Sequence, residues 1–127
     1  ELEKRGIPLI LWHTQIDWDT VAKIAAKYPK LMIVMEAIDK KLLYHARNLF
    51  KLMETFKNIY FGSYNFTQYD LINDIEKSGN TRIVFASNYP VSDPNVSFGI
   101  ITEAELSQKT KEMICHGTLD NVLKNMK

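Results

Sequence analysis

The chain has 127 residues, of which 46% are hydrophobic and 24% charged, the balance of an ordinary globular domain. A formal net charge of +1 argues against a nucleic-acid-binding surface, and no apolar run approaches the roughly 20 residues that span a bilayer. The single cysteine, Cys115, cannot form an internal disulfide, which favours a reducing, cytoplasmic location. We expect residues 1–127 to be one α/β domain, or a fragment of a longer protein that begins in the tail of a helix stopped by Gly6.

Strand-like and helix-like segments alternate in the first half of the chain. An apolar run at residues 8–13 predicts the first strand. From Asp17 the apolar residues follow helical spacing, and Pro29 ends that helix. A second apolar run at residues 31–37 predicts the next strand, and the helix after it extends to about Phe56. Asp39 is the candidate N-cap of this second helix.

The same alternation continues in the second half. Residues 58–63 form the third predicted strand. A capping pattern at Thr67 opens the next helix, and Gly79 closes it. Residues 81–87 form the fourth predicted strand, which is nearly all apolar before its polar end.

The end of the chain is predicted to be a loop followed by a helix. The loop contains Pro90, Asp93 and Pro94, and the closing helical stretch begins at Ser107 and is interrupted at Gly117.

Strands that are apolar at consecutive positions are typical of a parallel sheet buried on both faces. Because they alternate with amphipathic helices, we predict a parallel (βα)4 unit of the α/β class. Four such units form either an open doubly wound sheet or one half of an eight-stranded barrel. Half a barrel leaves two open strand edges, which favour pairing with another chain.

The candidate functional residues follow the strands, because parallel α/β folds place their sites at the carboxyl ends of strands. His13 is the last residue of the first predicted strand. It is a candidate metal ligand or general base, or else a histidine hydrogen-bonded to a neighbouring loop. Glu36 interrupts an apolar strand, so its carboxylate must be paired, protonated, bound to a metal or exposed to solvent. Tyr64 and Asn65 follow the third strand, and Asn88 follows the fourth.

The order of short motifs resembles the second half of the amidohydrolase-related, metal-dependent hydrolases, which are TIM barrels. The motifs are an apolar strand ending in His-Thr, a helix ending in Lys-Tyr-Pro, and Ile-Val-Phe-Ala-Ser-Asn-Tyr-Pro at residues 83–90. In that family the last strand typically ends in Gly-Ser-Asp-Tyr-Pro. The resemblance implies that the predicted strands correspond to the fifth to eighth strands of a barrel.

The resemblance also implies a divalent metal, often zinc, which activates water to hydrolyse an amide or ester bond in a small molecule; some members decarboxylate instead. His13 matches the metal ligand of the fifth strand. Ala37 occupies the place of the sixth-strand histidine, and Glu36 beside it is the candidate replacement ligand. Asn88 replaces the catalytic aspartate, and an amide cannot accept a proton as a base. We therefore expect a weakened or lost metal site and no activity from this chain alone.

Three functions remain open at this point. The leading hypothesis is a metal-dependent hydrolase fragment that requires a missing N-terminal half or a second copy of the chain. The alternative is a non-catalytic binding or scaffold protein, in which a strand-end pocket of Trp12, Tyr64, Asn65 and Asn88 holds a small ligand. A flavodoxin-like domain is disfavoured because no Gly-rich phosphate loop follows the first strand.

Overall fold

The computed structural model describes residues 1–36, 42–64, 82–124 and 126. Its elements are, in chain order, α1 (Leu2–Arg5), β1 (Leu9–Trp12), α2 (Trp18–Lys27), β2 (Ile33–Glu36), α3 (Leu42–Thr55), β3 (Ile59–Gly62), β4 (Ile83–Val84), α4 (Pro94–Thr102), α5 (Gln108–Glu112), a π turn (Met113–Gly117) and α6 (Thr118–Leu123). No helix in these ranges is both long and apolar enough to cross a membrane.

The four strands form one parallel sheet in the order β1-β2-β3-β4. Leu9 lies opposite Ile33, and Ile33 lies opposite Ile59. Sequential parallel strands joined by helices are the arrangement that right-handed crossovers produce. The predicted parallel α/β architecture is therefore confirmed.

The two faces of the sheet are covered differently. One face, which we call the α2–α3 face, packs on helices α2 and α3, and its buried core contains Val21, Ala25, Ile33, Met35, Met53, Ile59, Phe61 and Ile83. The opposite face carries a smaller cluster of Met32, Val34, Tyr60 and Val84, against which Val122 of α6 packs. Because side chains alternate along a strand, Ile10, Trp12 and Glu36 belong to this opposite face as well.

Helix ends follow the local signals in the sequence. The Asp17 carboxylate accepts a hydrogen bond from the Thr20 N–H at 2.8 Å, and α2 begins at the next residue after Asp17. The Ser107 hydroxyl accepts from the Thr110 N–H at the start of α5. Gly6 ends α1 in the left-handed conformation with φ 69°.

Two features differ from the sequence-based expectation, and the predicted interruption of the last helix takes a specific form. The predicted loop around Pro94 contains helix α4, because the Asp93 side chain caps it by accepting the Asn95 N–H at 2.9 Å and Pro94 fits the first turn. Strand β4 has 2 residues and not the predicted seven, because beyond Val84 the Ser63 hydroxyl replaces the backbone ladder and accepts the Ala86 N–H at 3.0 Å. The helix interruption near Gly117 is the π turn.

The predicted helix between Thr67 and Gly79 and the candidate N-cap Asp39 lie outside the described residues.

Asn58 connects the sheet to the end of α2. Its buried side-chain Nδ2 lies 3.2, 2.9 and 3.0 Å from the carbonyl oxygens of Ala25, Tyr28 and Leu31, to which it donates. These carbonyls belong to the last turn of α2 and the segment after it, where a helix leaves acceptors unsatisfied. One amide therefore fixes how the chain enters β2.

Asn58→Ala is expected to lower the free energy of unfolding by about 1–3 kcal/mol, because it leaves buried carbonyl groups without their donor. Urea denaturation measures this loss. Asn48→Ala, at an exposed position in α3, is the matched control and should change stability by no more than a few tenths of a kcal/mol. Equal effects of the two substitutions would contradict a structural role for the Asn58 amide.

Candidate functional site

The parallel register aligns three residues on the opposite face at the carboxyl ends of the strands. Trp12 at the end of β1 lies opposite Glu36 at the end of β2. Gly62 at the end of β3 lies opposite Val84 of β4. Trp12 remains 44% exposed, and the Glu36 side chain reaches across to Gly62. This row of Trp12, Glu36 and Gly62 is the centre of the candidate site.

Gly62 makes room for the carboxylate of Glu36. A Cβ atom at position 62 would lie 2.3 Å from both Oε1 and Oε2 of Glu36, closer than any real contact. A glycine inside a strand often marks such a close approach. Gly62 was not singled out by the sequence analysis, although an isolated glycine in an apolar strand was the available signal.

The environment of Glu36 changes its acidity. Burial raises the pKa of the Glu36 carboxyl from its ordinary value of 4.5 to about 6, because a partly desolvated site disfavours the charged form. A carboxyl group in an apolar strand must be paired, protonated, bound to metal or exposed. The structure places it half-buried against the backbone of Gly62.

His13 lies next to Glu36 along the ladder but packs on the α2–α3 face. Its N–H donates to the Glu36 carbonyl oxygen at 3.2 Å, and its ring atom Nδ1 lies 3.5 Å from the same oxygen. The imidazole is buried and stacks on Trp18, with ring centroids 6.4 Å apart and an interplanar angle of 22°. It therefore shares the side of Leu9 and Leu11, and both its backbone N–H and its ring contact the backbone carbonyl of Glu36.

Asn88 lies in a tight turn after β4. Its φ is 54°, in the left-handed region that asparagine and aspartate tolerate better than most residues. The Asn88 carbonyl accepts the N–H groups of Val91 and Ser92 at 2.9 and 3.2 Å. The peptide bond between Tyr89 and Pro90 is cis. Two backbone hydrogen bonds therefore fix the position of Asn88, whose side chain is half-buried.

The remaining predicted site residues are only partly described. Tyr64 is half-buried just beyond the end of β3, whereas Asn65 and Ala37 lie outside the described residues. In the described ranges, no three His, Cys, Asp or Glu side chains come close enough to hold a metal ion. His13 and Glu36 occupy adjoining strand ends, so these ranges supply two candidate ligands, fewer than a complete site requires.

Gly62→Ala is expected to lower the free energy of unfolding by no more than about 1 kcal/mol, because the atoms that the new methyl group displaces are the end of the flexible Glu36 side chain. Gly99→Ala is the matched control: it lies within α4 with nothing within 4 Å of the new Cβ, and should raise stability by up to about 1 kcal/mol. Chemical denaturation measures both. The loss at Gly62 should shrink in a Glu36→Ala background, and an unchanged loss would show that the two residues do not interact.

Stability should also depend on pH through Glu36. Between pH 4.5 and about 6 the folded protein keeps a proton that the unfolded chain releases, so the free energy of unfolding falls as pH rises through this window. Allowing for partial solvent exposure, the fall is about 1 kcal/mol. Glu36→Gln should remove it, making the variant the more stable protein at pH 7 but not at pH 4. Urea titrations at four pH values test this, and a pH-independent difference between the proteins would disprove it.

Comparison with known proteins identifies the fold. No family model matches the sequence, and neither does any curated protein. One match is an uncharacterised TIM-barrel protein from Bordetella bronchiseptica. The alignment covers 98% of this chain and 48% of the Bordetella chain, with a TM-score of 0.73 and 16% sequence identity. Decarboxylase structures also match, among them two dihydroxybenzoate enzymes.

The first is a dihydroxybenzoic acid decarboxylase from Polaromonas with bound manganese and the inhibitor 2-nitroresorcinol. The alignment covers 97% of this chain and 51% of the decarboxylase chain, with a TM-score of 0.68 and 19% sequence identity. The second is a 2,6-dihydroxybenzoate decarboxylase complexed with 2,6-dihydroxybenzoate. The alignment covers 97% of this chain and 52% of the decarboxylase chain, with a TM-score of 0.70 and 14% sequence identity. The chain thus spans about half the length of these proteins. Together with the four-stranded parallel sheet, this match gives the chain the fold of one half of a TIM barrel.

Proposed function

We propose that the chain is one half of a metal-dependent TIM-barrel enzyme that decarboxylates a small hydroxylated aromatic acid. The observation that carries this proposal is the structural match, over 97% of the chain, to halves of two dihydroxybenzoate decarboxylases. The motif resemblance to the amidohydrolase-related enzymes supports the same class from the sequence. Decarboxylation here replaces the hydrolysis that the motifs alone had suggested.

Residue 88 favours decarboxylation over hydrolysis. Hydrolysis requires a base that accepts a proton from the attacking water, and the amide of Asn88 cannot act as one. Decarboxylation breaks the bond between the carboxylate carbon and the ring, and its electron pair stays on the ring carbon. A proton donated by a water molecule then joins that carbon as carbon dioxide leaves, and the remaining hydroxide converts the carbon dioxide to bicarbonate, so the reaction needs no base at position 88.

The proposed metal is a divalent cation that accepts oxygen ligands, with manganese as the first candidate because it is bound in one of the similar decarboxylases. When bound, such an ion polarises an oxygen of the substrate and stabilises the charge that develops. Within this chain, Glu36 is the first proposed ligand, and His13 joins it only if its ring leaves the α2–α3 face, where it stacks on Trp18 in this structure. The described residues do not complete the set, so we assign the remaining ligands to a complementary half of the barrel.

Within the site, this chain binds and orients the substrate. The exposed indole of Trp12 lies in the same row as Glu36 and offers a flat apolar surface to an aromatic ring. Tyr64 and Asn65 follow the neighbouring strand, and we propose that they contact the polar groups of the substrate. Asn88 donates or accepts hydrogen bonds but moves no proton.

The test uses the polypeptide that carries both halves. We expect it to bind about one manganese ion per chain, measured by elemental analysis, and to consume 2,6-dihydroxybenzoate. Glu36→Gln should weaken manganese binding at least about 10-fold, because it removes a charged ligand. Glu54→Gln, at an exposed position of α3, is the matched control and should bind normally. Absence of bound metal would contradict the proposal.

A non-catalytic binding protein is the second candidate, favoured by the amide at position 88 and by the absence of three grouped ligands in the described ranges. It predicts that calorimetry detects binding of a small aromatic acid, without turnover and without metal. The Asn88→Asp variant also distinguishes the enzyme from the binding protein. Turnover that appears or increases in this variant favours the enzyme, whereas unchanged binding without turnover favours the binding protein.

A further inference from the structure

A cavity lies at the amino-terminal ends of the strands, away from the candidate site. Its volume is about 340 Å³, within the range of small-molecule sites. Met32, which lines it, comes directly before β2, whereas Glu36 ends that strand four residues later. At the rise of a β-strand these two positions are about 13 Å apart. The cavity shares no residue with the row of Trp12, Glu36 and Gly62.

Two parts of the chain form the walls of this cavity. The sheet contributes Met32 and Tyr60, and the C-terminal segment contributes Met113 of the π turn with Thr118 and Val122 of α6. Val122 also packs on the smaller core cluster of the opposite face. π-helical turns are frequent at functional sites. A molecule in the cavity therefore contacts both the sheet and the last helix.

The charge of the lining is positive. Among the described residues that line the cavity, Lys30 and Arg82 are cationic and none is Asp or Glu. Asp120, the acidic residue of α6, does not line the cavity and pairs with His116 at 3.0 Å. A cleft lined by charges of one sign concentrates ions of the opposite sign. This cavity therefore favours an anion.

Arg82 is held in place by backbone carbonyl groups. Its Nη1 donates to the carbonyl oxygens of Phe56 and Ile59. Its Nη2 donates to that of Met53, in the last turn of α3, where a helix leaves carbonyls without helical partners. Burial lowers the pKa of the Arg82 guanidinium, because a half-buried cation is poorly hydrated. Arg82 thus brings a charge of fixed position to the cavity.

Lys30 brings a charge on a flexible stem. Its backbone N–H donates to Oε1 of Glu3 at 2.9 Å, which fixes the segment before β2. Within the ranges that the structure describes, no carboxylate lies within 4 Å of the Lys30 ammonium group. The side chain is exposed, so the ammonium group can turn towards a ligand in the cavity.

We propose that this cavity binds a small organic anion with an apolar body, of the class of short-chain carboxylates. The anionic group lies beside Lys30 and Arg82, and the apolar chain lies against Met32, Met113 and Val122. An inorganic ion gains nothing from these apolar side chains, whereas an alkyl chain removes their surface from water. The proposal does not depend on the proposed function, because it uses no residue of the candidate site.

The experiment titrates the 127-residue chain with hexanoate and follows side-chain NMR signals. The methyl signals of Met113 and Val122 should shift and saturate, whereas the indole N–H of Trp12 should not move. Inorganic phosphate has the charge without the chain, and hexanol has the chain without the charge. Each should bind at least about 5-fold more weakly than hexanoate.

Substitutions test the role of the flexible cation. Lys30→Gln should weaken hexanoate binding about 3- to 5-fold, because it removes one exposed charge from the site. Lys51→Gln, at an exposed position of α3 outside the cavity lining, is the matched control and should bind hexanoate normally. Both positions are exposed, so the thermal midpoints of the ligand-free variants should equal that of the parent protein.

The proposal is overturned by any of three results: no saturable binding of hexanoate, equal binding of phosphate or hexanol, or unchanged affinity in Lys30→Gln. Shifts confined to Trp12 and its neighbours would place hexanoate in the candidate site and would also reject the cavity as its binding site. Binding at the cavity by a protein that holds no manganese would support this proposal and leave the decarboxylase assignment to fail alone.

Discussion

The parallel pairing of β1, β2 and β3 is the constraint on which the rest of the molecule depends. Parallel strands bring all their carboxyl ends to one edge, so residues that are far apart in the chain meet in a row. This pairing places Trp12 opposite Glu36 and brings the Glu36 carboxylate onto Gly62. The raised pKa of that carboxyl follows from the same packing, since the neighbouring strand removes water from it.

Much of the fold was predictable because its signals are local. Apolar runs marked the four strands, and capping residues such as Asp17 and Ser107 marked where helices begin. Helix α4 was missed because Asp93 followed by Pro94 is typical both of a turn and of a helix start, and the sequence around it does not decide between them. The length of β4 was overestimated because the side chain of Ser63, just after β3, takes over hydrogen bonding beyond Val84.

The candidate site was predictable in position but not in geometry. Placing His13, Glu36 and Asn88 after strands required only the strand boundaries. The stacking of His13 on Trp18 depends on which side of the sheet its ring takes, and the role of Gly62 depends on a contact between neighbouring strands. Neither is encoded within a few residues of sequence. Whether these residues serve a metal depends on groups that the described ranges do not contain.

The π turn sets the rotational phase of the last helix. In a regular α-helix the Thr118 N–H would bond to the Ile114 carbonyl, whereas here it bonds to Met113, and Ile114 accepts from Phe85 instead. Each residue turns an α-helix by about 100°. Losing one residue from this turn would rotate Val122 away from the sheet and also withdraw the acceptor from Phe85. The number of residues in the π turn is therefore constrained more tightly than their identity. A single deletion there would disturb both the packing of Val122 and the hydrogen bond of Phe85.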